Sequence, residues 1–263
     1  MWTMRTCAKG RICAKGRTCA KRICSLVLLS ALAAAVGCGT AEYERRVKHY
    51  TDNQLVESVF TDLFEEPVLI AGSPVKIRFP KNMGQAKVFN EISLDPSGAG
   101  KLDPRRLQPP FMKLPGLKQT YEMTVADAPG GPLTYSMYLG ALPAGAPVPG
   151  GGALATALQQ QLTTAFPTSE PKPEWKDIDC LTPTTAHLAW KRIQVTGEQE
   201  FSTGNPGEFK KVPGTMIIYL YEAQGQQVLI AWRVPKDLEK QSKADGLAKV
   251  MGGTVDLGGG PPP

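Results

Sequence analysis

Side chains with the chemistry for catalysis or metal binding are few in this sequence. It has two histidines, His49 and His187, and neither has a companion at H-x-H, H-E-x-x-H or C-x-x-C spacing. No G-x-S-x-G turn is present to hold a nucleophilic serine. The sequence therefore predicts no catalytic residue, no metal site and no cofactor.

Two pairs of carboxylates stand two residues apart, Asp177 with Asp179 and Glu198 with Glu200, and the second pair lies on one face of a predicted strand. Paired carboxylates can share general acid and base work, as in glycoside hydrolysis. Nothing in the surrounding pattern places either pair in a cleft, so we expect solvated surface. A hydrolase using these pairs stays an alternative.

Three tryptophans, Trp175, Trp190 and Trp232, could line a carbohydrate or lipid groove, and one cysteine completes the set of candidate residues. Trp175 lies in a polar loop (PKPEWKD) and is the candidate ligand contact, whereas Trp232 lies inside an apolar strand and is predicted to be core. Cys180 has no histidine nearby in sequence. We expect it to be a buried small hydrophobe rather than a nucleophile.

The N-terminal segment has the composition of a targeting signal. Seven basic residues precede residue 23, no acid occurs before Glu42, and residues 26–36 (LVLLSALAAAV) are apolar except for Ser30. This run is shorter than the roughly 20 apolar residues of a membrane-spanning helix. A basic stretch, a short apolar run and small residues together predict a secretory signal peptide.

The end of the apolar run, Ala35-Val36-Gly37-Cys38, resembles the lipobox of bacterial lipoproteins. That resemblance implies a signal peptide over residues 1–37, cleavage after Gly37, and diacylglycerol attachment at Cys38. It departs from the commonest lipobox in having Ala35 where leucine is usual. The alternative is ordinary cleavage after Ala41, which would release a chain without a lipid.

The resemblance also implies a location. The expected product is a lipid-anchored protein of the bacterial cell envelope that faces the periplasm or the exterior. Gly39 stands where an aspartate would favour retention in the inner membrane, so the outer membrane is favoured.

The net charge depends almost entirely on the leader. The whole chain has 30 basic and 24 acidic residues, a formal charge of +6. Removal of the seven basic residues of the leader leaves 23 against 24, which makes the remaining chain nearly neutral. A nucleic-acid partner therefore loses its electrostatic support.

Hydrophobic periodicity divides the rest of the chain into elements. We predict an anchor segment and amphipathic helix over 38–66, a globular domain over 67–255 and a disordered tail over 256–263. Inside these, the predicted helices are 41–64, 154–166 and 236–250. The predicted strands are 75–79, 119–125, 133–142, 188–201 with an interruption at Gly197, 215–222 and 227–234, and the predicted Pro/Gly-rich loops are 95–117 and 143–152.

The strongest element is the hairpin TMIIYLYE and QVLIAWRV, which is apolar on both faces. Such strands usually occupy the centre of a covered sheet. The predicted fold class is α+β, a single compact domain with an antiparallel sheet flanked by helices and long Pro/Gly-rich loops. The late hairpin followed by a terminal helix resembles the PsbP-like α/β/α sandwich, which implies an accessory or assembly role and transfers no site.

The expected function is that of a lipid-anchored envelope protein acting as a non-enzymatic binding, accessory or scaffold module. Its expected partners are the membrane, through the N-terminal lipid, and an envelope protein.

The lipid prediction has a direct test. Cells that express the wild-type chain in radiolabelled palmitate should label it, and cells that express Cys38→Ala should not, because the thiol is the acceptor of the lipid. Equal labelling of the two proteins would refute the lipobox interpretation.

Overall fold

The computed structural model describes residues 42–48, 54, 57–90, 104–148, 152–184, 186–205 and 207–258. The predicted cleavage site at Gly37, the lipid site at Cys38 and His49 lie outside these residues. The chain divides into two compact units, Met1–Leu55 and Val56–Pro263. Within the described residues, no helix combines the length and the apolar character needed to cross a membrane.

The first unit contains helix α1, residues 42–48. Glu42 accepts a hydrogen bond from Arg46 Nε at 3.0 Å and lies 3.3 Å from an Arg45 nitrogen. The side chain of Tyr43 is exposed. These ion pairs between neighbouring turns support the helix from its solvent side.

The predicted helix over 41–64 does not reach its expected end, because a strand begins at Leu63. Leu63 pairs with Pro80 across a two-stranded antiparallel sheet, and its side chain is buried. The predicted boundary at residue 66 therefore falls inside a strand. Cross-strand hydrogen bonds here override the helical spacing of the apolar residues.

The second unit contains nine strands and four α-helices among the residues that the structure describes, and residues 57–59 are also helical. The strands are β1 Leu63–Leu69, β2 Lys76–Pro80, β3 Lys87–Asn90, β4 Leu117–Val125, β5 Leu133–Pro143, β6 Lys176–Leu181, β7 His187–Ser202, β8 Phe209–Ala223 and β9 Gln226–Pro235. The helices are α2 Pro104–Leu107, α3 Leu154–Ala165, α4 Glu239–Ser242 and α5 Ala244–Gly252, with 3-10 turns at Lys81–Met83 and Lys236–Leu238.

Seven of the strands form one antiparallel sheet in the order β3-β4-β5-β9-β8-β7-β6, and β1 pairs with β2 in a separate sheet. The hairpin β8–β9 lies next to β5 and β7, near the middle of the large sheet. The prediction of a central hairpin is confirmed. It follows from the apolar character of both of its faces.

One face of the large sheet is covered by helix α3. Leu154, Leu158 and Leu162 recur every fourth residue, and all three are buried. They pack against Ile218 of β8 and Leu229 of β9 within one apolar cluster. The amphipathic helix predicted over 154–166 is confirmed.

The opposite face is covered by the C-terminal helices and the small sheet. Trp232 of β9 and Trp190 of β7 lie in this second cluster, together with Ile77 of β2 and Leu247 of α5. Val75, Ile77 and Phe79 all face inward, as their alternation predicts. The architecture is α+β, an antiparallel sheet with helices on both faces, as the sequence predicts.

Strand β7 is longer and less interrupted than predicted. It runs through Gly197, which pairs with Gly214 of β8 without a register shift. A Cβ atom on Gly197 would lie 2.7 Å from the Phe166 ring. The glycine therefore makes room for an aromatic ring rather than ending the strand.

The C-terminal region departs from prediction at two points. The helix predicted over 236–250 is broken at Lys243, whose φ of 50° is left-handed. The tail is ordered at its start, because Asp256 and Lys76 exchange backbone hydrogen bonds of 2.8 and 2.9 Å. Backbone pairing with β2 holds residues whose composition alone predicts disorder.

Helix α5 ends against strand β6 at a very close approach. A Cβ atom on Gly253, directly after the helix, would lie 1.7 Å from the carbonyl oxygen of Leu181. Only a residue without a side chain fits unless the helix shifts.

We predict that Gly253→Ala lowers the free energy of unfolding by about 1–3 kcal/mol, the usual range for overpacking. Urea unfolding would measure it. Gly246→Ala is the matched control, since nothing lies within 4 Å of its Cβ position in the same helix. It should be neutral or stabilising, and equal losses in the two variants would contradict the explanation.

Candidate functional site

An open groove of about 670 Å³ lies where the small sheet meets the edge of the large sheet. Its lining is mainly apolar and comes from β1, β2, β3 and β4 together with the turn after β2. The lining residues are Phe64, Glu65, Glu66, Pro67, Val68, Phe79, Lys81, Met83, Gly84, Ala86, Val88 and Tyr121. We call it the apolar groove.

Buried aromatic packing forms part of the groove lining. The rings of Phe79 and Tyr121 lie 4.6 Å apart at 49°, and each is less than one-tenth exposed. Met83 is buried at the same end of the groove. Because these side chains belong to the core, this part of the lining is a fixed surface rather than a mobile one.

A bulge in β1 shapes one wall. Leu63 pairs with Pro80 and Pro67 with Arg78, so three residues of β1 oppose one residue of β2. The extra residues bend the strand outward. Phe64, in the bulge, is 42% exposed, and Val88 on β3 is 51% exposed.

Both walls belong to strands with an unpaired edge. Among the described residues, β1 pairs only with β2, and β3 pairs only with β4. Glu65 and Glu66 are exposed at the rim, and Lys81 lies beside them in the lining. The groove thus combines apolar side chains, a small acidic excess and strand edges.

The apolar groove has no signature in the sequence. Its residues come from four strands between residues 64 and 121, and no local motif joins them. Phe64 falls within the segment predicted as helix, so its position in a bulged strand was hidden.

The predicted carboxylate pairs lie on the surface. Asp177 and Asp179 are exposed on β6, and Glu198 and Glu200 are exposed on β7. His187 is exposed at the start of β7. The described residues contain no group of three or more His, Cys, Asp or Glu side chains placed to hold a metal ion.

Trp175 is half-buried against helix α3. Its indole N–H donates to the carbonyl oxygen of Ala155 at 2.8 Å, and the Gln159 amide donates to Pro173 at 3.0 Å. These bonds fasten the loop before β6 to the helix. The ring packs on the apolar cluster beneath α3, and its role as a ligand contact stays a prediction.

A buried polar cluster lies on the α3 side of the sheet. Its members come from α2, β4, β5, β7 and β9, and each is less than one-tenth exposed. We define the polar cluster as Arg106, Glu122, Ser136, Tyr138, Gln199 and Arg233.

The far end of the β7–β8 hairpin reaches across the sheet to the β4–β5 hairpin. The Thr134 hydroxyl donates to the carbonyl oxygen of Ser202 at 2.8 Å, and Lys210 Nζ donates to that of Gly130 at 2.6 Å. These bonds curl the end of the β7–β8 hairpin toward β5, the strand that holds Ser136 and Tyr138 of the polar cluster.

The polar cluster contains one ion pair. Arg106 donates from Nε at 2.9 Å and from Nη2 at 2.5 Å to the same Glu122 oxygen. The guanidinium also lies 4.8 Å from the Phe89 ring centroid. Loss of one partner from such a buried pair typically costs about 3–5 kcal/mol.

Arg233 has no such partner. None of its three side-chain nitrogens has a hydrogen-bond partner among the described residues, and the side chain is fully buried. Its guanidinium lies 5.1 Å from the Phe201 ring centroid. A buried cation–π contact contributes about 2 kcal/mol, less than the several kcal/mol that desolvation of a charge costs. In the sequence, the sign of this buried cation is that Arg233 is the single charged residue inside the apolar run V-L-I-A-W-R-V-P.

Tyr138 lies within electrostatic reach of Arg233. Burial raises the pKa of its phenol, and the nearby Arg233 charge offsets part of that rise. Ser136 is also near enough to lower this pKa, yet neither hydroxyl makes a hydrogen bond of good geometry.

A second polar group, Arg192, Tyr219 and Asp245, fixes α5 on the sheet, and its charged side chains are hydrogen-bonded to one another. Arg192 Nε donates to Asp245 at 2.7 Å, and the Tyr219 hydroxyl donates to the same oxygen at 2.9 Å. Arg192 also donates to Gln194. These partners account for the charges, so we assign the group a structural role.

Cys180 is buried against α5, as the sequence predicts. Burial raises the pKa of its thiol to about 12. At pH 8 the folded protein would therefore hold roughly one thiolate per ten thousand molecules.

We predict that Cys180 is unreactive toward an aromatic disulfide reagent at pH 8 until the chain unfolds, and that its reaction in urea follows the unfolding transition. A chain that begins at Gly39 isolates this thiol. Fast labelling of the folded protein would contradict the burial argument and restore Cys180 as a candidate nucleophile.

Comparison with known proteins finds similarity in structure and none in sequence. No protein-family model matches the chain, and no curated protein matches its sequence. Among solved structures, it is similar to the solution structure of cyanobacterial PsbP (CyanoP) from Synechocystis sp. PCC 6803, with 9% identity and a TM-score of 0.34. The match covers 73% of this chain and 91% of that chain. The resemblance seen in the sequence was to the same PsbP-like fold. An identity and a TM-score this low transfer no activity, partner or site.

Proposed function

We propose that this chain is a lipid-anchored, non-enzymatic binding module of the bacterial cell envelope, and that the apolar groove holds an extended segment of a partner protein. The observation that carries the proposal is the groove itself, with Phe64 and Val88 substantially exposed over buried aromatic rings. Exposed apolar surface of this kind is typical of interaction sites.

The size of the apolar groove suits a short stretch of side chains. Its volume of about 670 Å³ lies inside the range of about 300–1,000 Å³ that ligand sites occupy. The fixed Phe79 and Tyr121 rings would receive apolar side chains with little loss of protein entropy.

Strand edges and charge favour a peptide over other occupants. An extended segment can add its backbone to an unpaired strand edge, while alternate side chains enter pockets. The Glu65 and Glu66 carboxylates at the rim favour a basic residue in the partner segment. We therefore propose an extended segment with alternating apolar residues and at least one Lys or Arg.

The exposure of the carboxylate pairs and the burial of Cys180 favour a binding role over a hydrolytic one. Membrane attachment through Cys38 would hold this domain close to the membrane. Envelope location and lipid attachment rest on the N-terminal sequence.

The groove can be tested by selection from a library of random linear peptides displayed on phage. We expect the wild-type chain to enrich peptides with alternating apolar residues and a basic residue. The enriched peptides should bind Phe64→Asp and Val88→Asp about 10-fold or more weakly, because each change puts a charge on the apolar wall.

Leu69→Asp is the matched control. Leu69 is 53% exposed on the same strand β1 but does not line the groove. The affinity of Leu69→Asp for the enriched peptides should equal that of the wild type. Circular dichroism would show that all three variants fold. Enrichment of peptides that bind the groove variants and the wild type alike would refute the proposal.

A further inference from the structure

Arg233 is the least expected residue in the core. It lies on β9, between the neighbouring strands β5 and β8, where it pairs with Ser136 and Met216. Alternation along β9 directs it to the same face as Leu229 and Ala231, which are buried apolar residues. A guanidinium cannot lose its charge in a protein, so burial leaves a permanent cation in this position.

Several polar atoms around Arg233 have no hydrogen-bond partner among the residues that the structure describes. The unpartnered atoms in the polar cluster are Arg233 Nε, Nη1 and Nη2, Tyr138 OH, Ser136 Oγ, both amide atoms of Gln199 and Glu122 Oε1. Native proteins leave few buried polar atoms unpaired. The donors among them, on Arg233, Tyr138, Ser136 and the Gln199 amide nitrogen, indicate one common missing acceptor, whereas Glu122 Oε1 and Gln199 Oε1 are acceptors that an anion does not satisfy.

The charges identify what kind of partner this is. Arg106 and Glu122 pair with each other, so their charges cancel. Arg233 then leaves one uncompensated positive charge. Arg233, Tyr138, Ser136 and Gln199 together offer N–H and O–H donors, which suit an acceptor with a single negative charge.

We infer that the polar cluster is a binding site for a small monovalent anion of the size of a halide or formate. The donors would come from Arg233, Tyr138, Ser136 and the Gln199 amide. The ligand must be small, because every one of these side chains is at most 3% exposed. The site is separate from the apolar groove, so the two proposals stand or fall independently.

The anion has a structural consequence in this fold. The curled end of β7–β8 supplies Gln199 and the Phe201 ring, while β5 and β9 supply the other groups. An anion between them would tie the curl to the sheet. Stability should then rise with anion concentration, since a ligand that binds only the folded state stabilises it by mass action.

Bromide provides a direct structural test. Crystals of the wild-type chain soaked in sodium bromide should show an anomalous-scattering peak within hydrogen-bonding distance of the Arg233 guanidinium. A map with water alone at this place, or with Glu122 turned onto Arg233, would overturn the inference.

Solution measurements provide the second test. Sodium bromide would replace sodium gluconate at constant ionic strength, and thermal unfolding would be followed. The midpoint of the wild type should rise with bromide relative to that of Arg233→Met, because bulk salt acts on both proteins alike.

Lys191→Met is the control, since it removes an exposed cation from β7 and should keep the wild-type response. Ser136→Ala and Gln199→Met should reduce the response, and they replace Arg233→Met if that variant does not fold. An identical bromide response in the wild type and in all folded cluster variants would exclude the site.

Discussion

The whole domain depends on the burial of both faces of the β8–β9 hairpin. Ile218 and Leu229 require cover on one side, and Tyr219 and Trp232 require it on the other. Helix α3 covers the first face, and the C-terminal helices with the small sheet cover the second. Transfer of this much apolar area out of water is the largest favourable term available to the fold, and the three-layer arrangement follows from it.

Packing in three layers brings some parts of the backbone very close together. Helix α5 ends so near β6 that Gly253 has no room for a side chain, and Gly197 leaves space for Phe166 on the other face. Burial against α5 also removes the water that a Cys180 thiolate would need, which raises the pKa of its thiol.

The apolar groove and the polar cluster arise at the places where the layers are incomplete. At the β3 edge the sheet ends, and the bulged β1 strand leaves apolar side chains uncovered. At the β7–β8 end the hairpin curls over the sheet and encloses Arg233. The apolar groove is open, so it suits a segment of a partner protein. The polar cluster is closed and charged, so it suits a small ion.

The sequence by itself determined the elements with local patterns. Period-2 alternation located β2, two continuous apolar runs located the β8–β9 hairpin, and a four-residue step located α3. The apolar character of both strand faces placed the hairpin centrally and predicted the α+β class. Strand β1, the break at Lys243 and the uninterrupted β7 depended on tertiary structure, because cross-strand pairing and packing against distant rings override local preference. The apolar groove and the polar cluster were decided only by the tertiary structure, since unpaired strand edges and the curl of a long hairpin result from contacts between residues far apart in the chain.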